Sequence, residues 1–67
     1  MSEDQYKECK KYEGIINLFK TSGQYIGGAD SLFDYYKMQG QERSCPSCIS
    51  RFLLERYGEI ERYERNM

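Results

Sequence analysis

The sequence predicts an all-α fold, a small three-helix domain with helices over about 3–21, 29–39 and 46–65 running up, down and up. Three observations carry this. Apolar residues recur at spacings of three and four in each segment. Residues that start and stop helices stand at the segment ends. The connections are short, which favours antiparallel neighbours. With 67 residues the chain is read as one domain, 1–67, since a chain this short buries only about 60% of its unfolded surface and has a thin core.

In the first segment, Ser2 is placed to cap the helix, and Glu3 and Asp4 fall in the first turn, where the helix dipole favours acids. Cys9, Tyr12, Ile16 and Phe19 form the apolar stripe, flanked by Tyr6 and Ile15, with lysines opposite. Gly14, inside the segment, is read as a point of close approach by a neighbouring helix. Gly23 suits a left-handed C-cap, and Ser22 to Gly28 reads as a loop with Ile26 turned inward. This glycine-rich stretch is a turn rather than a phosphate cradle. No strand precedes it, no Lys follows it, and Asp30 would repel an anion.

The second segment sets Leu32, Phe33 and Tyr36 on one face and Asp30, Asp34 and Lys37 on the other, with Gly40 ending it. After a polar link, Pro46 opens the third segment, where its missing N–H is no loss. Ile49, Phe52, Leu53, Tyr57, Ile60 and Tyr63 then share one side. Arg56 falls within that stripe, and the expectation is a snorkelling stem whose guanidinium pairs with Asp30 or Asp34.

Composition narrows the function classes. Charged residues make up 31% of the chain yet sum to −1, with acids and bases interleaved throughout. No basic stripe exists to displace phosphate counterions, which argues against a nucleic-acid partner. The longest apolar runs are two or three residues, so no membrane span is expected, and Met1 to Gln5 has no secretory pattern. The expected compartment is the cytoplasm, where thiols stay reduced. Seven Tyr and three Phe must fill a core that has no Val or Trp, and several rings are expected at the core boundary or under a partner.

The candidate chemical residues are Cys9, Cys45 and Cys48. In an up, down, up bundle the first and third helices begin at the same end, so the three sulfurs could converge. Convergence would permit a zinc site, since thiolates suit Zn²⁺ and Cys-x-x-Cys is a common half-site. With no His, a fourth ligand would have to be Glu3, Asp4, Glu8 or Glu42, or come from a second chain. The alternatives are a disulfide of Cys9 with Cys45 or Cys48, redox chemistry at Cys45-Pro46-Ser47-Cys48, or ordinary core and helix-start thiols. Over those four residues the chain resembles the Cys-Pro-x-Cys of thioredoxin-like proteins, without the preceding strand of that fold.

The chain has no His and no catalytic carboxylate pair identifiable by spacing, so the expectation is a protein-binding module rather than an enzyme. Leu18, Tyr35, Met38 and Leu54 fall off the predicted core stripes and are the expected partner-binding residues, toward another protein or a second copy of the chain. In general texture, a short chain rich in Tyr, Lys and Glu resembles the small products of bacterial viruses and mobile elements. That resemblance implies an accessory virion part or an inhibitor of a host protein. The expected function is therefore a non-enzymatic protein-binding module, with a zinc- or thiol-dependent regulatory protein as the alternative.

Overall fold

The computed structural model describes all residues, 1–67, and contains five helices and no strand: α1 (Glu3–Lys10), α2 (Glu13–Ser22), α3 (Asp30–Tyr35), α4 (Gly40–Arg43) and α5 (Pro46–Arg65). The all-α class holds, but the three-helix division does not. The first predicted helix is two, broken at Lys11 and Tyr12. Lys11 caps α1, and Tyr12 leaves helical geometry (φ −113°, ψ 17°) before α2 begins.

The break lets the two apolar stretches face the core from different directions. Ser2 closes a capping box with Gln5, the Ser2 hydroxyl accepting from the Gln5 N–H at 3.2 Å and the Gln5 side chain accepting from the Ser2 N–H at 3.0 Å. Helix α1 then lies against the C-terminal half of α5. Tyr6 stacks on Tyr63 with ring centroids 4.4 Å apart, and its hydroxyl donates to Glu64 at 2.7 Å. Lys10 bridges Glu13 at 2.5 Å and Glu64 at 3.0 Å, holding the start of α2 at the same end.

From there α2 runs antiparallel to α5. Its last turn, Phe19 to Gly23, meets Pro46, Ile49 and Ser50 at the start of α5, and the Lys20 ammonium sits 5.5 Å from the Tyr57 ring centroid. The expected parallel alignment of the first and last helices is thus replaced by an antiparallel α2–α5 pair. Gly23 does cap α2 in the left-handed region, at φ 77°.

The following loop brings in Tyr25 rather than Ile26. The Ala29 N–H donates to the Tyr25 hydroxyl at 3.0 Å and the Tyr25 ring leans on Phe33, whereas Ile26 is 68% exposed. A ring with a hydroxyl can both cover the core and satisfy the amide that opens α3; an isoleucine can only cover. The close approach expected at Gly14 is found instead at Gly28, where an added Cβ would lie 3.1 Å from Ile15 Cδ1 in a backbone already at φ 96°.

Helix α3 stops four residues short of its predicted end, because Lys37 turns left-handed (φ 57°). The Met38 N–H donates to the Phe33 carbonyl at 2.9 Å and the Lys37 N–H to the Asp34 carbonyl at 3.0 Å, the two bonds of a Schellman closure. Gly40, expected to end that helix, instead opens the single turn of α4, capped by Gln39 and Glu42. Arg43 ties the turn down by pairing with Asp34 at 2.6 Å and donating to the Met38 carbonyl at 3.1 Å.

The core consists of Cys9, Ile16, Phe19, Ala29, Leu32, Phe33, Leu53 and Ile60, every one apolar. Tyr12, Ile15, Tyr36, Ile49, Phe52 and Tyr57 pack around it half-buried. A molecule only 16 Å across its shortest axis holds two helix layers, each pair of axes being about 8–10 Å apart. Two layers leave no central position for most of the tyrosines.

Candidate functional site

The most featured surface is a cleft between the α3–α4 turn and α5. Its floor is aromatic: Tyr36 and Phe52 meet edge to face with centroids 5.3 Å apart, and Phe52 meets the buried Phe33 in the same way at 5.4 Å. Met38 supplies a flexible wall, and Lys37, Glu42, Cys48, Arg51, Glu55 and Arg56 make the rim. The volume is about 230 Å³, below the ~300–1,000 Å³ of small-molecule sites. It suits one or two side chains of a partner better than a whole metabolite.

Arg56 is the pivot of the cleft. Its guanidinium lies 4.5 Å from the Tyr36 ring centroid and 4.8 Å from that of Phe52, with only 12% of the side chain exposed. Its ion-pair partners are Glu59 at 2.5 Å and Glu55 at 3.3 Å on its own helix. The expected pairing with Asp30 or Asp34 does not form, since both aspartates face outward and Asp34 is taken by Arg43. The Arg56 Nε and Glu59 Oε1 atoms are shut off from solvent and have each other as sole polar partner. Lys37 and Arg51, by contrast, enter none of the ion pairs of the molecule. The rim therefore presents two free cations, one of them on a residue held in a left-handed conformation that side chains adopt at a cost of about 1 kcal/mol or more.

The four expected partner-binding residues do not form one patch. Met38 is half-buried in the cleft wall, and Tyr35 is 43% exposed on the same side of the molecule, its ring edge against Tyr36. Leu54, 46% exposed, lies in a second, shallower groove along α5 with Arg51, Glu55, Arg56, Gly58, Glu59 and Arg62. Leu18 is exposed on the outer side of α2, where Ile16 and Phe19 are the buried neighbours. Sequence patterning missed Lys37, Arg51 and Glu55 as cleft residues. No glycine marks the left-handed turn at Lys37, and a helical wheel cannot foresee which side of α5 the α3–α4 turn covers.

The three thiols likewise fail to converge. Cys9 is fully buried and its sulfur shares a 3.5 Å hydrogen bond with the Tyr36 hydroxyl, near Arg56 and Glu59. Burial pushes the Cys9 thiol above its ordinary value, partly offset by that hydrogen bond, and also pushes the Tyr36 hydroxyl up. Cys45 and Cys48 stand at the start of α5, roughly 12–21 Å along the axis from the level of Arg56 and Glu59 at ~1.5 Å per residue. The reason is direction: the first segment runs antiparallel to α5, with Tyr6 at Tyr63 and Phe19 near Pro46, and this carries Cys9 away from the start of α5. No group of three or more His, Cys, Asp or Glu side chains is arranged to hold a metal ion, so Cys45 and Cys48 make at most half of a tetrahedral thiolate set within one chain.

That pair has a distinct electrostatic character. The Cys48 thiol and the Cys48 and Ser47 backbone N–H groups hold the Cys45 thiol below its ordinary value, while the same contact pushes Cys48 up. No helix is long and apolar enough to cross a membrane. No protein-family model matches the chain, and no curated protein and no solved structure is significantly similar to it.

Proposed function

We propose that this chain is a non-enzymatic protein-binding module that receives an apolar side chain and a neighbouring carboxylate of a partner protein in the α3–α5 cleft. The observation that carries this reading is the cleft itself, with an aromatic floor of Tyr36 and Phe52 beneath two unpaired cations, Lys37 and Arg51. An apolar group would displace water from the floor, and a carboxylate would find the cations already in place. Tyr, Met and Arg are the residue types enriched at such interfaces. Tyr35, Leu54 and, in a larger contact, Leu18 extend the apolar reach beyond the cleft. The partner fits the expected role of a virus or mobile-element accessory that holds or inhibits another protein.

The test is selection of a random-peptide display library on the immobilised chain, followed by backbone amide NMR with an enriched peptide. Expected is a consensus of an aromatic or aliphatic residue near Asp or Glu, shifts centred on Tyr36, Met38 and Phe52, and loss of binding with Arg51→Glu. Enrichment without an acidic preference, or shifts centred on α1 and α2, refutes the reading.

A further inference from the structure

We propose that Cys45 and Cys48 form a reversible dithiol–disulfide site that exchanges with an external disulfide, Cys45 attacking and Cys48 resolving. This stands apart from partner binding in the cleft and rests on how α5 begins.

Cys45 is the N-cap of a 20-residue helix, with extended backbone (φ −101°, ψ 111°), and no side-chain oxygen caps the amides of the first turn. Pro46 at the first helical position has no N–H to offer, so the free donors nearest the Cys45 sulfur are the amides of Ser47 and Cys48. No acid lies in the first turn of α5; of the charges near Cys48, Glu42 from the preceding turn disfavours a thiolate there and Arg51, further along α5, favours one. A sulfur anion at Cys45 would thus take the place that a Ser or Asp oxygen fills in most helices. Cys48, three residues on in the first turn, is a free, half-buried thiol pushed above its ordinary value, which suits a waiting second thiol.

The spacing allows closure. Residues three apart on a helix have Cβ atoms about 5–6 Å apart, against the ~3.5–4.5 Å of a disulfide. The gap of an ångström or two falls at an N-cap residue, which is only half held by the helix. A closed bridge there is under tension and is easily reopened by thiols. Cys9 cannot compete, being fully buried at a different level of α5.

The steps balance. The Cys45 thiolate attacks one sulfur of R–S–S–R, whose bond breaks and releases one RS⁻ carrying the electron pair. Cys48 then loses its proton and attacks the Cys45 sulfur, expelling the second RS⁻. Two protein thiols are oxidised and one external disulfide is reduced to two thiols, which take up the two protons given by Cys45 and Cys48. The co-reactant class is a small or protein-borne disulfide.

Incubating the full chain with oxidised glutathione and following intact mass tests this. The wild type should lose the mass of two hydrogens and retain no glutathione, while Cys9 becomes alkylatable only after denaturation. Cys48→Ser should accumulate one adduct, mapped to Cys45, and Cys45→Ser should react about tenfold more slowly; circular dichroism checks that both variants keep their helix. A wild type that ends with stable adducts, or that keeps its fully reduced mass, overturns the proposal, as do equal rates in the two variants. Zinc co-purifying at one ion per two chains, with thiols blocked until chelation, overturns it in favour of a metal shared between copies.

Discussion

The two ends of α5 treat the same chemistry in opposite ways. Along its C-terminal half, α5 partners the polar groups that pack against the other helices: Tyr6 and Lys10 converge on Glu64, and Arg56 lies over two aromatic rings with Glu59 beside it. The cysteine on that side is sealed in the core. At its N-terminal end the helix leaves its first amides without a side-chain cap and sets two thiols beside them. The difference teaches that burial, rather than residue type, decides whether a cysteine acts as a small core residue or as a reactive group.

Breaking the partnered end should have the largest effect. Arg56→Ala leaves the Glu59 oxygen buried without its cation and removes the contact with Tyr36 and Phe52. A stability loss of about 2 kcal/mol is expected in urea unfolding, less than the ~3–5 of a fully buried pair because Glu59 is 26% exposed. A loss below about 0.5 kcal/mol would mean that the arginine is held only loosely. Arg56→Met, which keeps apolar volume, should cost less than Arg56→Ala.

At the other end the sign reverses. Cys45→Ser supplies the oxygen cap that α5 lacks, so the thermal midpoint should rise by a few degrees. A fall would show that the sulfur already does the work of a cap.

The smallest effect expected is in acid. The Tyr6 hydroxyl and the Lys10 ammonium hold the Glu64 carboxyl below its ordinary value of 4.5. Its contribution to stability is therefore fully present above that value and lost as the pH falls toward the depressed one. A pH series of unfolding midpoints between about 6 and 2 should fall more steeply for the wild type than for Glu64→Gln. Parallel curves would place Glu64 outside the stabilising network.

Much of α5 was legible in the sequence, because Pro46 marks its start and Ile49, Phe52, Leu53, Ile60 and Tyr63 repeat with helical period over its whole length. Ser2 and Gly23 were legible for the same local reason, each forming a cap from its own chemistry. The break at Lys11–Tyr12 was not, since neither residue opposes a helix and the gain from bending is made with Tyr63 and Glu64, more than fifty residues away. The same holds for the cleft. Arg56 stands out as a cation within the apolar stripe, but its seat over Tyr36 and Phe52, and the place of Arg51 on the cleft rim, depend on where the turn at Lys37 and Met38 lies. The separation of Cys9 from Cys45 and Cys48 follows from the antiparallel direction of the first segment against α5, in place of the expected parallel one.

The contact between Tyr6 and Glu64 spans 58 positions, so it closes nearly the whole chain into a ring. As the chain leaves the ribosome, the Tyr6 side of α1 has no surface to settle on until the last turns of α5 have emerged. Until then the Tyr6 ring is exposed to whatever else is nearby, and the order of synthesis makes α1 wait for the end of α5 before it docks in full.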